Sequence, residues 1–219
     1  MLRKTFSQEM QEVKDDVLLL GSMVEKAVID SVEALRDNDL DQSQQVLADT
    51  HRINWKRYEI EMSILVLMAT QQPIARDLRT LAASMDICTE LKRVGEYAKG
   101  IANINIRSEG LGTSTVLRNI NSMAEEAVDM LHAAMTTYAD EDMQTAIIVI
   151  RKDDGVDGWY AQLYDDATRL VIGDARNIER ANYILWVAHH LERVGDRATN
   201  ICERVVYMVT GERLETSLA

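Results

Sequence analysis

The chain has 219 residues, of which 47% are hydrophobic, and its formal net charge is −12. The hydrophobic content excludes a disordered chain. The negative charge disfavours direct binding to nucleic acid or anionic lipid, whose phosphates it would repel. The acid excess instead suits cations or a basic protein partner. A single Pro and 10 Gly leave few helix breakers, so long helices are expected.

The N-terminal residues lack the apolar segment of a signal peptide, and no apolar run approaches the roughly 20 residues of a membrane helix. We therefore expect a cytoplasmic protein without direct membrane insertion. Cys88 and Cys202 form no CxxC pair and lie in apolar helical contexts. This placement predicts two buried free thiols.

Apolar residues recur at helical spacing along almost the whole chain, and no period-two alternation is sustained. The spacing predicts six helices, over 7–36, 39–71, 74–107, 115–139, 142–171 and 174–210. Short acidic turns, a Gln-Gln-Pro turn and a Gly-Asp pair separate them, and a linker covers 108–114. The expected fold is all-α, with two tandem antiparallel three-helix bundles as domains 1–107 and 115–219.

The two halves of the chain share sequence patterns. Residues 93–101 and 193–201 both read R-V-G-(acid)-x-A-x-x-I, 100 positions apart. Residues 22–28 and 122–128 both read S-M-x-E-x-A-V. A period this long is typical of a duplicated small domain, so one kind of surface is expected twice.

An acidic group is predicted on the second bundle. Glu192 and Asp196 are four residues apart, on one side of a helix and away from its apolar stripe. Asp153 and Asp157 repeat this spacing on the preceding helix, with Asp154 beside them. These five carboxylates are candidate ligands for one or more hard or borderline cations. The alternative interpretation is a solvated acidic face.

The first half differs at the matching positions. Lys92 replaces the first acid and Glu96 matches the second, while Thr50 and Asn54 replace two of the aspartates. The second half is therefore the better candidate metal site by charge. Glu96, with His51, is a further candidate for a softer ion.

Other residues have simpler interpretations. Three aromatic side chains are predicted in the core or at a bundle seam: Trp55, Trp159 and Trp186. Arg93 and Arg193 either neutralise nearby carboxylates or contact a partner. Glu90 is a further acid of the first half, but it faces a different side of its helix from Lys92 and Glu96.

The sequence contains no Gly-rich phosphate loop, GxSxG elbow or HExxH motif, so an enzyme is not expected. Two alternatives stay open at this point. One is a metal-dependent enzyme on a helical scaffold, and the other is a co-chaperone-like helical adaptor.

Several motifs together resemble the PhoU family. Residues 190–201 read H-L-E-R-V-G-D-R-A-T-N-I and residues 72–79 read Q-P-I-A-R-D-L-R. Both are similar to motifs of that family, as are the duplicated S-M-x-E-x-A-V segments. The resemblance covers roughly residues 5–211 and is specific when the motifs are taken together.

The resemblance implies two three-helix bundles in a cytoplasmic negative regulator of phosphate uptake and of the phosphate regulon. It implies two partners, the ATP-binding subunit of the phosphate ABC transporter and the phosphate sensor histidine kinase, and a homodimer. Some family members bind iron or zinc clusters through E(D)xxxD motifs. That motif corresponds here to Glu192 and Asp196. In the first half it corresponds to Lys92 and Glu96, so its first acid is lost.

Overall fold

A computed structural model describes residues 2–108, 111 and 114–212, and all regular structure in that part of the chain is helical. The all-α prediction is confirmed. The α-helices are α1 (Leu2–Asp37), α2 (Leu40–Gln71), α3 (Ala75–Arg107), α4 (Ser114–Asp140), α5 (Met143–Ile150), α6 (Asp153–Gly173) and α7 (Ile178–Thr210). A short 3-10 turn, Ala175–Asn177, leads into α7. Within the described ranges no helix is both long and apolar enough to cross a membrane.

The turn between α1 and α2 is fixed by three polar residues. Asn38 takes a left-handed conformation with φ 53°, which reverses the chain. Asp39 then caps α2 by accepting a hydrogen bond from the Gln42 backbone N–H at 2.9 Å. From α3, the buried Asn105 amide donates to the Ala34 carbonyl at 2.9 Å, so the third helix also holds this turn.

The second half repeats this turn. Glu141 is left-handed with φ 54°, and Asp142 caps α5 by accepting from the backbone N–H groups of Gln144 and Thr145. The predicted acidic turns are therefore present at equivalent places in both halves. The predicted linker over 108–114 lies mostly outside the described residues, but Leu111 within it is buried.

The expected single helix over 142–171 is wrong, because the chain breaks between α5 and α6. Lys152 closes a tight turn, donating its backbone N–H to the Val149 carbonyl at 2.9 Å. Two glycines follow, Gly155 and Gly158, and each weakens a helix by about 1 kcal/mol relative to alanine. A Cβ on Gly155 would lie 1.9 Å from Oε1 of Glu126 on α4, so a larger residue here would displace the Glu126 side chain.

The first bundle contains α1, α2 and α3, and the second contains α4 to α7. They lie side by side, with α3 packed along α7 and α1 along α4. The buried apolar residues of both bundles form one continuous core. The third long helix of each half is therefore central to the whole molecule.

One buried hydrogen bond joins the bundles inside this core. The fully buried Tyr138 of α4 has its hydroxyl 2.7 Å from Oγ of Ser84 on α3. Ser84 itself donates to the Thr80 carbonyl at 2.8 Å. Cys88 and Cys202 are free and buried, as predicted, and burial raises the pKa of each thiol to about 12.

The tryptophan prediction is correct for two residues of three. Trp159 is partly buried against the core, and its indole N–H donates to Glu126 at 2.8 Å. Trp186 is 54% exposed but lines a groove between α3 and α7, so it lies at the edge of the seam between the bundles. Trp55 is 65% exposed, so the prediction is wrong for that residue. On α2 the inward positions are occupied by buried isoleucines such as Ile53, and Trp55 lies on the outer side.

Candidate functional site

The predicted acidic group forms where α6 packs against α7. Asp153 begins α6, and its carboxylate lies over the α7 backbone at Gly195, where an added Cβ would be 3.1 Å from Oδ1. The glycine of the repeated R-V-G motif thus leaves room for an aspartate from the neighbouring helix. The break before α6 places this aspartate in a first turn, where the helix dipole favours negative charge.

The pKa values show that the carboxylates affect one another. Burial raises the pKa of Asp153 to about 6, with further increases from the charges of Asp157 and Asp196. Burial also raises the pKa of Asp157, and the charges of Glu192 and Asp196 raise it further. The charge of the exposed Asp154 raises the pKa of both Asp153 and Asp157. The packing of α6 on α7 thus places these five carboxylates within electrostatic range of one another, and we call them the acidic cluster.

Basic side chains border the acidic cluster. Arg193 donates to Asp196 at 3.1 Å, and Arg197 lies 3.6 Å from the same carboxylate. Nδ1 of His189 lies 3.0 Å from Oε2 of Glu192. Arg193 thus neutralises a nearby carboxylate, which was one of its two predicted roles.

The donor chemistry of the acidic cluster suits a hard cation, since all five side chains offer carboxylate oxygens. Its geometry is more open than a metal centre. Among residues 2–108, 111 and 114–212, no group of three potential ligands is arranged to hold a metal ion. The cluster as it stands is a concentration of negative charge at a helix–helix contact.

The first half presents a different surface. Glu96 lies between Lys92 and Lys99, each 3.7 Å from its carboxylate oxygens. Thr50 is buried and His51 is exposed at the positions corresponding to Asp153 and Asp154. Glu96 therefore lies in a mixed-charge patch, where two lysines offset its carboxylate.

Glu90 has a role that its sequence position did not reveal. It is only 9% exposed and accepts hydrogen bonds from Arg93 at 2.9 Å, Arg197 at 3.0 Å and Asn200 at 3.1 Å. Because Arg197 and Asn200 belong to α7, this carboxylate ties the two bundles together. Arg197 also lies 3.6 Å from Asp196, so it links Glu90 to the edge of the acidic cluster. The helical wheel gave only the side of α3 that Glu90 faces and could not identify its partners on α7.

At the position that the duplication relates to Glu90, the contact between the bundles is aromatic and not ionic. His190, the counterpart of Glu90, packs on Tyr97 with ring centroids 5.9 Å apart. Its Nε2 occupies the space above Gly100, where a Cβ would be 2.4 Å away. Burial lowers the pKa of His190. Gly100 replaces the asparagine that Asn200 provides in the second half because the histidine ring needs that space.

These features define a class of protein: a duplicated helical scaffold whose two halves carry different charged surfaces around a shared seam. Comparison of the chain with known protein families and structures agrees with this class. The PhoU domain family matches residues 17–104 and 120–205, and the chain belongs to this family. Its two matched segments correspond to the two bundles.

Relatives and solved structures cover nearly the whole chain. A phosphate-specific transport system accessory protein PhoU homolog of Clostridium acetobutylicum is 31% identical over 98% of this chain and 99% of its own. PhoU from Pseudomonas aeruginosa matches with a TM-score of 0.88, 31% identity and coverage of 94% and 100%. The phosphate transport system regulatory protein PhoU of Streptococcus pneumoniae matches with a TM-score of 0.88 and 27% identity, over 96% of this chain and 99% of its own. The family is one of regulatory accessory proteins and not of enzymes, which confirms that prediction.

Proposed function

We propose that this protein is a cytoplasmic accessory protein of phosphate-specific transport and a negative regulator of the phosphate regulon. In this role it connects the ATP-binding subunit of the phosphate ABC transporter with the phosphate sensor histidine kinase, and it acts as a homodimer. The names of its relatives support the link to phosphate transport. Family membership favours this role over a co-chaperone-like adaptor or a metal-dependent enzyme.

The observation that carries the proposal is the divergence of the two matching surfaces. The second half concentrates five carboxylates, whereas the first half has Lys92, Glu96 and Lys99 at its matching surface. The core positions beneath both are buried and apolar. A duplicated scaffold that keeps its core and changes its charged surface is suited to two different partners.

The experiment is charge reversal on one surface at a time. Glu192→Lys with Asp196→Lys alters the second surface, and Lys92→Glu with Lys99→Glu alters the first. Binding of each variant to the purified ATP-binding subunit and to the cytoplasmic region of the kinase is measured by calorimetry. Each pair of changes is expected to weaken one partner's binding by tenfold or more and to spare the other. Equal weakening of both partners by both variants would contradict the division of roles.

A divalent cation at the acidic cluster is a second element of the proposal. Burial is the main cause of the raised pKa of Asp153 and Asp157, and the repulsion between the carboxylates adds to it. A bound ion would neutralise that repulsion, with Asp154, Glu192 and Asp196 as the other oxygen donors. In a separate thermal-unfolding measurement, iron, zinc or magnesium is expected to raise the unfolding temperature of the wild type. The Glu192→Lys, Asp196→Lys variant is expected to lose that increase. An increase of the same size in the variant would argue against cation binding at the cluster.

A further inference from the structure

The outer side of α2 carries an apolar stripe that no part of the described chain covers. It consists of Trp55, Tyr58, Met62, Leu65 and Val66, which are 65%, 50%, 43%, 47% and 56% exposed. The first four are spaced three, four and three residues apart, the a/d spacing with which one helix packs along another. From Trp55 to Val66 the stripe extends about 17 Å, or three helical turns.

The duplication supplies an internal comparison. The buried Ile53, Ile60 and Ile64 of α2 correspond to Val156, Leu163 and Ala167 of α6, an offset of 103 positions. The same offset takes the stripe to exposed residues that are small or polar: Gly158, Ala161, Asp165, Thr168 and Arg169. Helices α2 and α6 thus have apolar residues at the same buried positions, but the matching exposed positions are apolar only on α2. Packing of the buried side therefore does not account for the apolar stripe.

The charges beside the stripe identify the chemistry of its partner. A groove between α1 and α2, of about 380 Å³, has Met62 and Val66 on one side and Glu9, Glu12 and Asp16 on the other. The basic residues of this part of α2 are already engaged. Lys56 pairs with Asp16 at 2.6 Å, and Arg57 pairs with Glu61.

The apolar stripe is therefore bordered by excess negative charge. Among the described side chains, five carboxylates and two cations lie along it: Glu9, Glu12, Asp16, Glu59, Glu61, Lys56 and Arg57. A second copy of this chain would bring two acidic borders together, and anionic lipid would be repelled for the same reason. A helix with an apolar a/d face and Lys or Arg at its edges would satisfy both the stripe and its border.

We propose that the α2 stripe is a docking site for a basic amphipathic helix of a partner protein. Trp55 and Leu65 lie near the two ends of the contact, and Glu9 and Glu12 receive the flanking basic side chains of the partner. The surface lies on α2, whereas the acidic cluster lies on α6 and α7, so the two can be tested separately.

The probe is a synthetic helical peptide of about 21 residues, six turns long, with Leu at the a and d positions and Lys at the e and g positions. A matched peptide carries Glu in place of Lys. Binding to the full-length protein is followed by fluorescence anisotropy of the labelled peptides at low and high salt. The Lys peptide is expected to bind, with affinity that falls as salt rises, and the Glu peptide is expected not to bind.

Variants connect binding to the stripe. Met62→Glu and Leu65→Glu each remove an exposed apolar contact and are expected to weaken the Lys peptide about tenfold. Thr168→Glu changes the position that corresponds to Leu65 on α6 and should leave affinity unchanged. Circular dichroism confirms that the variants remain folded, as expected for exposed positions.

Five outcomes would overturn the proposal. The first four are equal weakening by Thr168→Glu, equal binding of the Glu peptide, absence of binding by the Lys peptide, and binding to anionic vesicles that the stripe variants abolish. Self-association that Leu65→Glu alone disrupts, measured by sedimentation equilibrium, would assign the stripe to a second copy and also overturn it. Each of these results leaves the proposed role in phosphate transport untouched.

Discussion

Asp153→Asn changes the most strongly perturbed carboxylate of the acidic cluster with almost no change of shape. Asp153 lies in the first turn of α6, and burial together with Asp157 and Asp196 raises its pKa from 3.8 to about 6. The folded protein therefore binds this proton more tightly than the unfolded chain does. Stability contributed by the neutral carboxyl is complete below pH 3.8 and is lost as the pH rises through about 6.

The magnitude follows from that difference in pKa. A change of about two pH units corresponds to roughly 3 kcal/mol for a fully buried group. Since Asp153 is only partly buried, solvent screening reduces this to about 1.5 kcal/mol. Removing the negative charge from the first turn of α6 costs about 0.5 kcal/mol in the opposite direction. Asp153→Asn should therefore stabilise the protein by about 1 kcal/mol above pH 6 and have little effect near pH 4.

Urea unfolding at pH 4, 5.5 and 7.5, with a chelator present, measures this effect. Above pH 6 the variant should also melt about 2–4 °C higher than the wild type. Asp165→Asn is the matched control, because Asp165 is an exposed aspartate of the same helix outside the acidic cluster. A gain that is the same at pH 4 and pH 7.5, or a loss of stability at pH 7.5, would refute the electrostatic argument.

Two further predictions concern the seam between the bundles. Tyr138→Phe removes the buried hydroxyl 2.7 Å from Ser84 and should cost about 1 kcal/mol in urea unfolding, and a neutral result would show that this bond does not stabilise the seam. Arg197→Ala leaves the buried Glu90 carboxylate with one fewer basic partner and should cost about 3 kcal/mol, whereas Arg93→Ala, at a more exposed side chain, should cost less than about 1 kcal/mol. Equal losses for the two arginines would mean that the contact across the bundles has no special weight.

Much of the fold could be predicted because helical periodicity is a local property. The spacing of apolar residues gave the long helices, and the duplicated motifs gave two related bundles. The acidic cluster was also predictable, since residues four apart share a helix side and sequential helices in a bundle are neighbours. The break at Arg151–Lys152 was missed because the apolar pattern continues across it. The cost of the glycines and the favourable N-terminal aspartates outweigh that pattern locally.

The sequence by itself determined which side is buried in a helix with one regular apolar stripe, such as α7, because burying that stripe is the dominant favourable contribution to folding. It did not determine how the two bundles meet. Only the tertiary structure showed that Glu90 finds Arg197 and Asn200 across the seam, and that His190 occupies the space above Gly100. It also showed that Trp55 remains outside, against the expectation for its size and apolarity. The contacts of Glu90 and His190 join residues about 100 positions apart, and local periodicity carries no information about such contacts.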